Sequence, residues 1–153
     1  MNKLIKFTAA ALLSLFVVAC GDKADPKADF KAITEWSQAN QQSVAAAQQE
    51  LLTAVESNPA ELDKAVANFQ GKIAEYKKSL MALKIQSPEI KVLKDKTAAA
   101  LDLSNELVTE GLKAVKDPAS VNQEALAEKT QKALDEVNEL QKLSAELKQK
   151  YGQ

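Results

Sequence analysis

The stretch that decides the fold is residues 58–83, which read NPAELDKAVANFQGKIAEYKKSLMAL. Its large apolar residues alternate steps of four and three positions without a break: Leu62, Val66, Phe69, Ile73, Tyr76, Leu80 and Leu83. A repeat of this kind, one apolar residue every 3.5 on average, places all seven on one face of an α-helix and favours gently left-handed packing between helices. The stretch therefore predicts an amphipathic helix of the coiled-coil type.

Three further segments carry stripes of similar spacing, and none shows the alternation expected of a β-strand. Polar residues interrupt the stripe of the first segment. The third fits a repeat of eleven, and a heptad through Ile90, Leu93, Thr97, Ala100, Ser104 and Leu107 fits almost as well. In chain order the stripes are Phe30, Ile33, Ser37, Asn40, Val44, Ala47, Leu51 and Ala54; Leu93, Thr97, Leu101, Ser104, Val108, Leu112 and Val115; and Leu126, Thr130, Ala133, Val137, Leu140, Ser144, Leu147 and Tyr151.

The four prolines divide these segments. Each follows a residue that caps helix N-termini well: Asp25-Pro26, Asn58-Pro59, Ser87-Pro88 and Asp117-Pro118, with Ser120 and Gln123 as an alternative start for the last helix. The cap-to-cap spacings of 33, 29 and 30 residues leave four helices of about 27 residues each, about 40 Å long. We predict an all-α fold, an antiparallel up-down-up-down four-helix bundle. The alternative is a helical hairpin that completes its core by dimerising.

The first twenty residues have the order of a bacterial export signal. Lys3 and Lys6 precede an apolar run over residues 9–19, which is too short to span a membrane as a helix. The run ends in Val17-Val18-Ala19-Cys20, which resembles the lipobox of bacterial lipoproteins. The resemblance implies that Cys20 is acylated, palmitate included, and becomes the first residue of the mature chain. The alternative is a secreted protein with an incidental cysteine.

This resemblance predicts three regions: a signal peptide at 1–19, a lipidated cysteine and short tether at 20–27, and the bundle domain at 28–153. Gly21 stands where an aspartate would retain a lipoprotein in the inner membrane. The resemblance therefore implies anchoring in the outer membrane, facing the periplasm. A tether this short spans at most about 25 Å at about 3.5 Å per residue, which keeps the bundle close to the membrane.

Composition argues against several classes of function. Without the signal peptide, 18 lysines face 21 acidic residues, and the chain has no arginine and no histidine. The acidic balance disfavours nucleic-acid binding, and the missing histidine removes the usual general base and metal ligand. Glu106 and Glu110 stand at helical spacing for an acid–base pair, although a solvated charged face is the simpler explanation of such a pair. We predict no enzyme activity, no metal and no cofactor.

Three short stretches are similar to the small periplasmic b-type cytochromes, four-helix bundles that hold haem: Ala28-Asp29-Phe30, Ser87-Pro88-Glu89-Ile90-Lys91 and Gln149-Lys150-Tyr151. Those proteins ligate iron through a methionine in the first helix and a histidine in the fourth. Thr34 and Lys148 occupy the corresponding positions here, and Met81 lies in the second helix. The resemblance therefore implies a haem-less bundle.

Two surface features are candidates for binding. From Ser37 to Gln49 the first helix carries no charge, and we predict a partner face at Gln38, Gln41, Gln42, Gln48 and Gln49. Trp36 either widens the core or lies at the membrane interface. The predicted function is a non-enzymatic, lipid-anchored envelope protein that acts through contacts with an envelope protein or a second copy of itself, in a scaffolding, holding or exclusion role. The alternative is a carrier of a small apolar ligand, with core gaps at Ser104, Gly111, Ala133 and Ser144.

Overall fold

The fold is described from a computed structural model, which covers residues 24–57 and 59–152. In chain order the elements are α1 (Pro26–Ser57), a 3₁₀ turn (Pro59–Glu61), α2 (Leu62–Ala82), α3 (Pro88–Lys116), a second 3₁₀ turn (Pro118–Ser120) and α4 (Gln123–Tyr151). No strand occurs within these residues. The prediction of an all-α fold with four helices is confirmed. Cys20, the signal peptide and Asn58 lie outside the described residues.

The helix starts agree only in part with the predicted caps. Asp25 caps α1, because its Oδ1 accepts from the N–H groups of residues 27 and 28 at 3.0 and 3.2 Å. Of the other two described caps, Ser87 occupies the predicted N-cap position, whereas Asp117 was predicted wrongly as the cap of α4. Ser87 precedes α3 but makes no cap bond with its side chain, and Asp117 caps only the 3₁₀ turn. The cap of α4 is Asn122, whose Oδ1 accepts from residues 124 and 125 at 3.0 and 3.1 Å.

The second helix is shorter than the others, with 21 residues against 32, 29 and 29. It loses a turn at each end, because Pro59–Glu61 winds as a 3₁₀ turn and the chain becomes extended at Leu83. Lys94 holds this second end: its ammonium donates to the carbonyls of Met81 and Leu83 at 3.0 and 2.7 Å. A cation there satisfies the free carbonyls at a helix C-terminus.

Polar bonds between consecutive helices join residue numbers that rise along one helix as they fall along the next. Between α1 and α2 these are Trp36 with Ser79 and Glu50 with Asn68; between α2 and α3, Lys77 with Asp102 and Gln70 with Thr109; and between α3 and α4, Lys96 with Glu139 and Glu110 with Lys129. The end of each helix is thus next to the start of the following one.

Helix α4 contributes to the core at one end only. There, Phe30, Ile90 and Leu147 pack with Ile33, Ile85 and Leu93, so that α1, α3 and α4 meet beside the end of α2. The other two clusters, around Phe69 and around Val66, contain residues of α1, α2 and α3 but none of α4. The first half of α4 therefore packs against α3 without entering the core.

This arrangement confirms some of the predicted stripes and corrects others. Of the α2 stripe, all positions within the helix are buried, which is the pattern expected of a helix in the middle of the bundle. Four other predicted core positions are exposed: Ser37, Val115, Thr130 and Val137. Val115 and Val137 are 56% and 45% exposed, because α4 does not cover the far half of the three-helix core.

Candidate functional site

A groove runs along α1 and is bordered by α4 in two of its clefts and by α2 and α3 in the third. It consists of three adjoining clefts, which share Phe30, Thr34, Gln38 and Ser144 at one junction and Trp36 and Ser37 at the next. We call this the α1–α4 groove. Its widest part away from the chain ends has a volume of about 460 Å³ and is lined by Asn40, Gln41, Val44 and Gln48 of α1, with Tyr76 and Leu101 of the neighbouring helices.

The groove continues along α1 as an exposed apolar face. Leu52 and Val55 lie four and seven residues beyond Gln48, which places them on the same side of the helix, and they are 54% and 48% exposed. On α4, Leu134 and Val137 are also about half exposed. Both helices that flank the groove thus carry uncovered apolar side chains where the core has only three helices, and clustered exposure of this kind marks binding surfaces more often than scattered single residues do.

The predicted partner face is only partly gathered into this groove. Gln38, Gln41 and Gln48 line it. Gln49 instead lines a separate cleft between α1 and α2, and Gln42 is exposed without lining either. Since the helix turns 100° per residue, five amides spread over twelve positions cover more than one face. The charge-free stretch as a whole therefore predicted the wall of the groove better than the five glutamines did.

Two aromatic residues form the floor of the groove. Trp36 packs against the cluster around Phe69 and donates from Nε1 to the Ser79 hydroxyl at 2.8 Å, which agrees with the core interpretation rather than a membrane position. Tyr76 is 5% exposed, and its hydroxyl has no hydrogen-bond partner among the described residues. Sequence reasoning recognised Tyr76 only as a core residue, since nothing in the stripe signals an unpartnered hydroxyl.

The small residues expected to leave core gaps behave differently from one another. Ser144 lines the groove, whereas Ser104, Gly111 and Ala133 line none of its clefts. Beside Gly111 there is open space, because no atom of another turn or helix lies within 4 Å of the position that a Cβ would take. The available volume therefore opens to the surface rather than forming an enclosed core cavity.

The candidate acid–base pair is held by a lysine. The Lys129 ammonium forms ion pairs with both Glu106, at 3.5 Å, and Glu110. The hydrogen bond from this ammonium to Glu110 raises the pKa of Lys129 above its ordinary value. The single ammonium offsets one of the two negative charges and ties α3 to α4, which is the structural role expected of a surface network.

Thr34 and Lys148, the positions at which the cytochrome resemblance would require haem ligands, both line the end of the groove nearest the start of α1. Their hydroxyl and ammonium groups are not ligands of the kind that hold haem iron. Within residues 24–57 and 59–152, no group of three or more acidic, histidine or cysteine side chains is placed to hold a metal ion. Among the same residues, no helix combines the length and apolar character needed to cross a membrane.

Comparison with known proteins places the chain at the level of a family. A family model described as "Uncharacterised lipoprotein PM1805" matches residues 27–152. No curated protein and no solved structure matches the chain. The similarity to periplasmic b-type cytochromes is therefore not supported. The prediction of a bacterial lipoprotein is confirmed at the level of the family.

Proposed function

We propose, from the premise that the chain belongs to this lipoprotein family, that it is a non-enzymatic, lipid-anchored envelope protein whose α1–α4 groove docks a helical segment of a partner protein. The observation that carries the proposal is the groove itself, where the three-helix core lacks a fourth helix. In our proposal Cys20 bears the lipid in the outer membrane and the bundle faces the periplasm.

The chemistry of the groove favours an amphipathic helix as the occupant. Its α1 wall is uncharged from Ser37 to Gln49 and continues into Leu52 and Val55. Apolar anchors at positions i, i+3, i+4 and i+7 of a helix fit a trough of this kind, and charge depletion with aromatic residues is typical of the centre of an interface. Amides along the rim can bond to polar residues at the edges of the bound helix.

The charge of the bundle at the end away from Phe30 indicates which charge the bound helix should carry. Residues 46–55, 59–70 and 109–128, which surround that end of the bundle, contain three lysines and seven acidic residues. Complementary charge accelerates association and disfavours wrong partners. The proposed occupant is therefore a basic amphipathic helix of an envelope protein, rather than an acidic one.

Crosslinking in intact cells followed by mass spectrometry tests the proposal. We expect the substitutions Leu52→Lys and Val55→Lys, made together, to abolish recovery of the partner while the thermal melt stays unchanged. The matched control is Met81→Lys with Val92→Lys, at residues that are 49% and 48% exposed and lie outside the groove. Equal recovery of the same neighbour from both variants and the wild type would contradict docking in the groove.

A carrier of a small ligand is the second candidate, and the hydroxyl of Tyr76 favours it. Buried polar atoms nearly always have a partner, and this hydroxyl has none among the described residues although its side chain lines the cleft. A molecule with an apolar body and one polar group would occupy the cleft and satisfy it. We expect native mass spectrometry to detect such a molecule on the wild type and less of it on Tyr76→Phe; equal retention by both proteins would exclude this cleft as the site.

A further inference from the structure

The two ends of the bundle differ in charge. Residues 24–34, 80–94 and 142–152 meet at one end, as shown by the packing of Phe30, Ile90 and Leu147 and by the bond from Lys150 to Glu89 at 2.7 Å. We call this the lysine-rich end, since it contains eight lysines and four acidic residues, a formal charge of +4. The opposite end, formed by residues 46–55, 59–70 and 109–128, contains three lysines and seven acidic residues, a formal charge of −4.

Three of the four acidic residues at the lysine-rich end are occupied by contacts within the protein. Asp25 caps α1, and Asp29 accepts three hydrogen bonds from the chain before α3. Glu89 accepts from Lys150 and from the Tyr151 hydroxyl; these bonds lower the pKa of Glu89. The carboxylates are thus directed at partners in the fold, and the end keeps a formal charge of +4 after their negative charges are counted.

Five lysines of this end remain directed at solvent. Lys27, Lys84, Lys91, Lys142 and Lys148 are exposed and form no ion pair with another described residue. Lys27 and Lys148 also border a cleft of about 460 Å³ between the start of α1 and the end of α4, which has Phe30 and Tyr151 among its lining residues. Lysines around a cleft with aromatic walls suit a ligand that has an anionic group next to an apolar part.

The lipobox cysteine is attached at this same end. Cys20 lies six positions before Pro26, where α1 begins, so the intervening chain spans at most about 20 Å. We propose that the lysine-rich end docks on the anionic phospholipid headgroups of the membrane that holds the anchor. The anchor keeps this end within reach of the headgroups, where its lysines are attracted to anionic lipid, and the negative end then points away from the membrane.

This proposal concerns the lysine-rich end, which shares with the partner groove the cleft bordered by Lys27 and Lys148, and it predicts an orientation. Each lysine near an anionic membrane surface contributes about 1 kcal/mol, equal to about fivefold in the ratio of docked to undocked protein. Loss of two lysines should lower that ratio about 30-fold. The effect is electrostatic, so raising the salt from about 0.1 M to about 1 M, which shortens the screening length from about 10 Å to about 3 Å, should weaken docking.

The test uses the full lipidated protein reconstituted in vesicles of phosphatidylcholine, with or without phosphatidylglycerol. A fluorophore is attached to Gln86→Cys at the lysine-rich end or to Ala119→Cys at the opposite end, and lipids with spin-labelled headgroups quench whichever probe approaches the surface. We expect strong, salt-sensitive quenching of the probe at position 86 only on the anionic vesicles. The probe at position 119 should be quenched weakly on both.

Two charge-reversal variants complete the experiment. Lys27→Glu with Lys84→Glu should reduce quenching at position 86 on anionic vesicles to the value found on phosphatidylcholine. Lys113→Glu with Lys132→Glu, which makes the same change in net charge at exposed positions away from that end, should leave it unaltered. Equal quenching on both kinds of vesicle, or an equal effect of the two variants, would overturn the proposal. Since every sample is anchored by its lipid, neither result depends on whether a partner occupies the groove.

Discussion

Replacing Asp29 with alanine is expected to destabilise the bundle at the end where α4 joins the core. Oδ2 of this residue, in the first turns of α1, accepts from the Gln86 N–H at 2.9 Å, from the Ser87 N–H at 2.7 Å and from the Ser87 hydroxyl at 2.7 Å. One carboxylate thus holds the connection between α2 and α3 against α1, across 57 and 58 positions of sequence.

The magnitude follows from what the substitution leaves behind. Ser87 is fully buried, so loss of the carboxylate leaves its N–H and hydroxyl without an acceptor, at about 1–3 kcal/mol for each buried group. The third bond, to the exposed Gln86, can be replaced by water. We expect Asp29→Ala to lower the free energy of unfolding by about 2–6 kcal/mol, and Asp29→Asn, which keeps an oxygen acceptor but loses the charge, by about 1 kcal/mol.

Urea denaturation of the mature protein, followed by the fluorescence of its single tryptophan, measures these values. Trp36 packs against the core and donates to Ser79, so its emission reports on tertiary structure. Asp95→Ala is the matched control at an exposed position of α3 and should change stability by less than about 0.5 kcal/mol. A loss below about 1 kcal/mol for Asp29→Ala, or a loss equal to that of Asp95→Ala, would refute this explanation of how the helices are joined.

The same link gives stability a dependence on pH. Burial raises the pKa of Asp29, but the hydrogen bonds from Ser87 and Gln86 and the charge of Lys91 together outweigh it, so the pKa lies below its ordinary value of 3.8. The contribution of a carboxyl with a lowered pKa is fully present above the unfolded value and is lost as the pH falls through the folded value. Acid titration should therefore destabilise the wild type more than Asp29→Asn over that range.

Three further substitutions test the packing and the anchor. Phe69→Ala removes a side chain that is 4% exposed and should cost about 2–5 kcal/mol in urea denaturation; an unchanged midpoint would mean that the α2 stripe does not face the core. Gly111→Ala should raise the free energy of unfolding by about 0.5–1 kcal/mol, because the helix has room for a methyl group there, and a loss of stability would show that α4 closes over that position. Cys20→Ala should give uncleaved or soluble protein on cell fractionation, whereas a processed form that stays with the membranes would contradict lipidation at Cys20.

The sequence predicted the helices well because their periodicity is a local property. The α2 stripe is buried along the whole helix, and α1 begins at the proline that Asp25 precedes. Helix ends were less predictable, because a proline after a capping residue fits a 3₁₀ turn as well as an α-helix. Pro118 begins such a turn, and Asn122, five residues after Asp117, caps the helix instead.

The groove could not be predicted from the spacing of apolar residues. Val137 fits the α4 stripe and is nevertheless 45% exposed. Whether a stripe is covered depends on the direction of the neighbouring helix, which no single segment encodes. The charge-free stretch from Ser37 indicated the correct wall of the groove, although Gln42 and Gln49 lie outside it. The lysine-rich end could have been predicted from the sequence. In an up-down bundle, alternate ends of successive helices lie together, and counting the charged residues at those ends shows the excess of lysine.

Site-specific photocrosslinking in intact cells tests most directly whether the α1–α4 groove docks a partner helix. A photoreactive amino acid replaces Leu52, on the exposed apolar face of α1 that continues the groove, or Met81, which is exposed to a similar degree away from that face. We predict a discrete adduct from position 52 alone, with the crosslinked peptide in a basic amphipathic helix of an envelope protein. No adduct from position 52, or the same adducts from positions 52 and 81, would contradict docking in the groove.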